Sequence, residues 1–130
     1  MVVAEAPARA ALSISEAAAA TGLSAHTLRY YERAGLMLDP VGRAPSSHRR
    51  YSPDEVRWIV LLTKLRKTGM PIRRTREYAD LVRVDGGNER ERLALLVAHR
   101  ETVRKQLREV RENLETIDLK IETYKERITD

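Results

Sequence analysis

The last third of the chain carries its plainest pattern. Leu93, Leu96, Val103, Leu107, Val110, Leu114, Ile117, Ile121, Tyr124 and Ile128 recur three and four residues apart, with Arg100 the one polar member of the series. That spacing is the period of a helix seam that meets another helix. It predicts a single helix over residues 89–128 which, at roughly 1.5 Å per residue, is about 60 Å long. Asn88 is placed to cap it, and Glu89 and Glu91 fall in the first turn, where acids suit the helix dipole. A head of about 70 residues covers only part of such a length. The seam is therefore expected to form a homodimeric coiled coil; the alternative is a lone amphipathic helix folded back on its own head. The seam alone leaves strand direction open. Arg100 either sets register, pairs with an acid of the partner, or marks where the seam leaves the coil.

Shorter and more varied patterns precede it. Residues 1–11 are small, weakly polar and interrupted by Pro7, which reads as a flexible leader. Ser15 is expected to cap an alanine-built helix from Glu16 to about Thr21, and Gly22-Leu23-Ser24 forms a turn into a second helix that stops at Gly35. Two short helices joined by a glycine-containing turn have helix-turn-helix spacing. Residues 36–51 hold Pro40, Gly42 and Pro45 with no helical period, and end in His48-Arg49-Arg50-Tyr51, as a small hairpin or wing would. Ser52-Pro53-Asp54-Glu55 is a capping box with proline at the first helical position. Val56, Ile59, Val60, Leu62, Thr63 and Leu65 then supply a buried side, with Trp58 at core or rim. A fourth helix runs from Met70-Pro71 through Arg73, Arg74 and Arg76 to near Val82, and residues 84–88 are a glycine-bearing linker.

Within the second helix the chemistry segregates. At about 100° per residue His26, Arg29, Tyr30 and Arg33 share one face, while Leu28 and Tyr31 point away from it. Ser24 and Thr27 lie with His26 at the helix start, where a recognition helix reads base edges. Arginines on a loop tip beside such a helix reach flanking phosphates, and Tyr51 can offer a hydroxyl. A solvated basic helix and loop is the plain alternative for each.

Charge agrees with an anionic partner. The 130 residues hold 24 Lys and Arg against 19 Asp and Glu, a net charge of +5, and the excess sits in the first half. There is no cysteine, which excludes disulfides, thiolate metal sites and thiol switching on this chain. No apolar run has the length of a membrane span or of a signal peptide, so a cytoplasmic location is expected. No nucleophile with a base, no phosphate-cradling glycine loop and no metal-ligand spacing occurs, which argues against an enzyme and against a cofactor.

Several words, in order, carry a resemblance: Leu12-Ser13-Ile14-Ser15-Glu16-Ala17-Ala18, Thr21-Gly22-Leu23-Ser24, Thr27-Leu28-Arg29-Tyr30-Tyr31-Glu32-Arg33-Ala34-Gly35-Leu36, Arg49-Arg50-Tyr51-Ser52 and Leu65-Arg66-Lys67-Thr68-Gly69-Met70-Pro71-Ile72. From about Leu12 to Leu81 the chain resembles the MerR family of winged-helix transcription regulators. The resemblance implies a mostly α-helical fold, with a winged helix-turn-helix head over residues 12–83, a small β wing and a long dimerisation helix paired antiparallel. It further implies a homodimer on a two-fold related promoter operator, which bends and untwists double-stranded DNA for RNA polymerase. By position, Arg29, Tyr30 and Tyr31 match helix residues that hold DNA, Arg49 and Tyr51 match wing contacts, and Arg66 matches a cation meeting a flanking phosphate. Arg33, Arg43 and His48 extend the same basic surface.

The chain also departs from the family pattern. Pro45-Ser46-Ser47-His48 stands where wings usually turn on glycine, Arg73 and Arg74 replace more usual acids, and the cysteines of metal-sensing relatives are absent. Length and ending look most like the short branch associated with aldehyde and thiol stress. An architectural DNA-bending factor of excisionase type, without a promoter role, is the second reading.

Overall fold

Five helices and a two-stranded ribbon arise among the described residues of this computed structural model, which are 11–38, 42–43, 49–84 and 86–128. In chain order they are α1 Ile14–Thr21, α2 Ala25–Arg33, β1 Gly42–Arg43, β2 Arg49–Arg50, α3 Pro53–Lys67, α4 Ile72–Arg83 and α5 Glu89–Ile128. The fold is mostly α-helical, as expected. The chain divides into two compact units, residues 1–92 and 93–130.

The first unit is built on α3. Ser52 accepts the Glu55 N–H at 3.1 Å while Glu55 Oε1 accepts the Ser52 N–H at 3.0 Å, and Pro53 follows the cap directly. This reciprocal box starts a helix whose Val56, Trp58, Ile59, Leu62 and Leu65 are buried. Helix α1 packs on both α2 and α3, and α3 on α4. Leu28, Leu36, Tyr51, Ile59 and Leu62 are wholly buried in this core. Trp58 is core rather than rim, stacked on Tyr78 of α4 with ring centroids 5.6 Å apart. Thr75, also wholly buried, satisfies its hydroxyl by donating to the Pro71 carbonyl.

Helix α1 begins earlier than Ser15 would start it. Ser13 is the cap: its hydroxyl accepts the Glu16 N–H at 3.2 Å, and Glu16 Oε1 accepts the Ser13 N–H at 2.8 Å. A capping box needs an acid three residues after the cap, and from Ser15 that position is Ala18. The Ser13 backbone bond, then its hydroxyl and the charge of Arg50, hold the Glu16 carboxyl below its ordinary value. Gly22 closes α1 at φ 76°, a left-handed conformation that glycine adopts without strain.

Asn88 also departs from expectation. Its backbone carbonyl accepts the Arg92 N–H, but its side-chain Nδ2 donates 2.7 Å to Leu81 O, so the amide closes the end of α4 instead of capping α5. Residues 1–10 of the expected leader, Asp85 of the expected linker and the wing turn at Pro45-Ser46-Ser47-His48 lie outside the described residues.

Every described residue of the second unit is helical. Helix α5 runs without interruption to Ile128 and carries the seam on a surface open to solvent. Leu93, Leu107, Val110, Leu114, Ile117, Ile121 and Tyr124 are each at least 45% exposed, with Leu96 and Val103 half-buried. Leu95, which the heptad pattern leaves out, is buried.

Candidate nucleic-acid interface

Helix α2 is nine residues long and opens at Ser24, whose hydroxyl accepts the Thr27 N–H at 3.0 Å and donates to Thr27 Oγ1 at 3.0 Å. The cap therefore locks the two hydroxyls at the helix start into one unit. Along the helix Leu28 and Tyr31 go into the core, while His26, Arg29, Tyr30 and Arg33 stand exposed. The cationic face anticipated from the 100° periodicity is thus the face that meets solvent. Tyr30 and Tyr31 lie with ring centroids 6.2 Å apart, the buried ring beside the exposed one.

The wing is rooted beside this helix's supports. Strands β1 and β2 are antiparallel, with Gly42 opposite Arg50 and Arg43 opposite Arg49. Directly after β2, Tyr51 and Leu12 exchange two backbone hydrogen bonds of 2.7 Å, tying the base of the ribbon to the residues that lead into α1. Arg43 and Arg49 thus pair across the ribbon; His48 lies outside the described residues. Tyr51 corrects an expectation. Its side chain is fully buried, so its hydroxyl cannot meet a phosphate from where it stands, and its part is to anchor the wing root. Tyr31, 6% exposed, likewise serves packing more than contact.

What fixes the exit of α2 is a set of side chains from other helices. Arg83, in the last turn of α4, donates through Nη2 to Gly35 O and through Nε to Met37 O, the latter at 2.9 Å. Between them, Leu36 O accepts 2.7 Å from Trp58 Nε1 of α3. Three consecutive carbonyls after the helix are each held by a partner remote in sequence. Gly35 has φ 77°, and a Cβ there would stand 3.4 Å from Arg76 Nε, so the turn is also closed from outside. The sequence reading missed Arg83, which offers no signal of its own beyond being a cation in a helix's last turn.

Other candidates fall where their local chemistry puts them. Arg66 donates from the end of α3 to Met70 O, bracing the α3–α4 turn at Gly69. Arg74 pairs with Glu77 at 2.7 Å, while Arg73 and Arg76 are exposed. Among the described residues no cluster of His and acidic side chains could hold a metal, and no helix is long and apolar enough to cross a membrane. The arrangement suits contact with a polyanion: exposed guanidinium and imidazole groups on a short, rigidly capped helix, flanked by an arginine-bearing ribbon.

Comparison with known proteins bears on that chemistry. A family model described as "MerR HTH family regulatory protein" matches residues 12–81. An HTH-type transcriptional regulator of Haemophilus influenzae is 32% identical over 110 residues, spanning 85% of this chain and 81% of that one. A MerR family transcriptional regulator from Listeria monocytogenes superimposes with a TM-score of 0.82 at 33% identity, over 88% of this chain and 86% of that one. HiNmlR, described as a MerR family regulator lacking the sensor domain and bound to promoter DNA, gives a TM-score of 0.80 at 30% identity, over 89% and 91% of the two chains.

Proposed function

The chain belongs to the MerR HTH regulatory family, and on that premise we propose that it binds a two-fold related promoter operator as a homodimer and regulates transcription by bending and untwisting the duplex. Membership makes it a DNA-binding transcription regulator, a role that involves no enzymatic reaction. The observation that carries the finer reading is the exposed face of α2, where His26, Arg29, Tyr30 and Arg33 stand together while the same helix's Leu28 and Tyr31 anchor it. HiNmlR, which superimposes over 89% of this chain and is described as bound to promoter DNA, supports reading such a surface as a DNA-binding one.

In this reading Ser24, His26 and Thr27 read base edges from the start of α2, where a recognition helix approaches the major groove. Arg29, Tyr30 and Arg33 hold the backbone on either side of that groove. Arg43, His48 and Arg49 reach phosphates from the wing, and Arg66 meets a flanking phosphate from α3. The α5 seams of two copies join the heads at a fixed separation, so the two sites fall on one duplex. Distorting that duplex changes how RNA polymerase sees the promoter, and the contacts that the bend permits offset the energy of deforming the DNA. The protein works in the cytoplasm, without a cofactor.

Transcription in vitro from the DNA upstream of its own coding region tests the proposal, run beside a circular-permutation assay of bend angle. A bend accompanied by a change in transcript supports promoter control. A bend with no change in transcript would transfer the protein to the architectural class.

A further inference from the structure

The two hydroxyls that open α2 are bonded unequally, and from that inequality we infer that Thr27 reads a thymine in the operator. Its hydroxyl donates to O4, its methyl meets the C5 methyl, and Ser24 holds the hydroxyl in that sense. The inference rests on the groove-facing role proposed above for the start of α2, and names the base that this part of the helix selects.

Five threonines of the first unit lie among the described residues, and four of them direct the hydroxyl proton back to the carbonyl four residues earlier. Thr21 donates to Ala17 O at 2.8 Å, Thr63 to Ile59 O at 2.8 Å, Thr68 to Lys64 O at 2.9 Å and Thr75 to Pro71 O at 3.1 Å. Thr27 is the exception. It is the third residue of α2, so the carbonyl four residues back, Leu23 O, lies ahead of the Ser24 cap. Its Oγ1 accepts the Ser24 hydroxyl at 3.0 Å instead, while Ser24 Oγ accepts the Thr27 N–H at 3.0 Å. A hydroxyl has one proton and two lone pairs. Ser24 therefore uses its proton and one lone pair inside the cap, whereas Thr27 gives up a lone pair and keeps its proton. That proton and the Cγ2 methyl share one Cβ, half-buried on the flank of the face made by His26, Arg29, Tyr30 and Arg33.

A donor beside a methyl selects among the bases. In the major groove cytosine offers a donor at N4, adenine an acceptor beside a donor, guanine two acceptors, and thymine an acceptor at O4 next to its C5 methyl. Thymine meets both groups of the Thr27 side chain; adenine and guanine meet only the donor. Cytosine is refused, because two donors would face each other. Ser24 takes part in this reading through Thr27: by donating to Oγ1 it keeps the threonine proton out of the cap and free for the base.

Base analogues separate the two contacts. The probe is the duplex upstream of the protein's own coding region, with the thymines of one half-site replaced one at a time. Uracil removes only the methyl; 5-methylcytosine paired with guanine keeps the methyl and turns the O4 acceptor into an N4 donor. Fluorescence anisotropy gives the affinity of the unaltered, Thr27→Val, Thr27→Ser and Ser24→Asp proteins for each duplex. At one thymine the unaltered protein is expected to lose about tenfold with 5-methylcytosine and about threefold with uracil. The first loss should vanish in Thr27→Val, which lacks the hydroxyl, and the second in Thr27→Ser, which lacks the methyl. Both variants keep the backbone N–H that Ser24 caps. In Ser24→Asp the carboxylate still caps the helix but can only accept, so it draws the Thr27 proton inward and the 5-methylcytosine loss should vanish as in Thr27→Val. The added negative charge weakens binding to all duplexes alike and cancels in the ratio. If the unaltered protein prefers this duplex to an unrelated one but no thymine shows losses that depend on Thr27, thymine reading is overturned alone. A gain from 5-methylcytosine that requires the Thr27 hydroxyl means that the shared proton is that of Thr27, and overturns it too. An undiminished loss in Ser24→Asp overturns the part assigned to Ser24. Equal affinity of the unaltered protein for this duplex and an unrelated one instead overturns the operator recognition proposed above.

Discussion

Arg29 and His26 sit three residues apart on α2, both exposed, and the proposed interface gives them different work. A guanidinium on a phosphate is indifferent to sequence; an imidazole at the helix start meets base edges that differ in donors and acceptors. Arg29→Ala should therefore weaken binding to matched and mismatched operators by a similar factor and reduce the salt slope by about two, one for each copy in the dimer. His26→Ala should instead alter the ranking of operator variants. Fluorescence anisotropy over a panel of single-base variants checks both, and equal loss of discrimination from the two substitutions would contradict these roles. The exposed face was readable in advance because helical periodicity places residues by angle alone. Tyr51 was not, because a residue at a wing base alternates inward or outward according to a strand pairing, here with Leu12, that no local pattern shows.

Elements with local chemical causes were the legible ones. The box at Ser52 and Glu55, the glycine stops and the heptad run of α5 each act within a few residues, and each element appears where that chemistry places it. Where two serines competed to start α1, the acid three residues after Ser13 decided it, a rule that could have been applied to the sequence. What could not be read were bonds between elements. The carbonyls of Gly35, Leu36 and Met37 are held by Arg83 and Trp58, residues 22 to 48 positions away. This grip ties α4 to the exit of α2, the helix proposed to enter the groove. Arg83→Met, which keeps the stem and removes the donors, should lower unfolding free energy by about 1–2 kcal/mol, for the hydrogen bonds to the Gly35 and Met37 carbonyls and the solvent-exposed ion pair with Asp80 that it also removes. Urea denaturation of the Arg83→Met protein checks this. Arg83→Lys should recover only part of the loss, since one ammonium cannot span both carbonyls; full recovery would mean that charge, and not the fork, holds the turn.

At the scale of the whole molecule, a basic head and a long amphipathic helix divide the labour between charge and apolar surface. The head's cations stand exposed on α2, and among the described residues the seam's leucines and isoleucines other than Leu96 are exposed. In the proposed dimer, two copies on one duplex cover the seams and double the phosphate contacts without new residues. Such contacts release condensed counterions, so affinity must depend on salt with a slope set by their number. The most direct test is the affinity of the unaltered dimer for the duplex upstream of its own coding region, measured from about 50 to about 200 mM salt. With about ten phosphates neutralised across the two heads, one for each of the five arginines proposed to hold the backbone, affinity is expected to fall by about a hundred-thousandfold over that range. An affinity that barely changes would contradict the claim that the exposed face of α2 and the wing hold a DNA backbone.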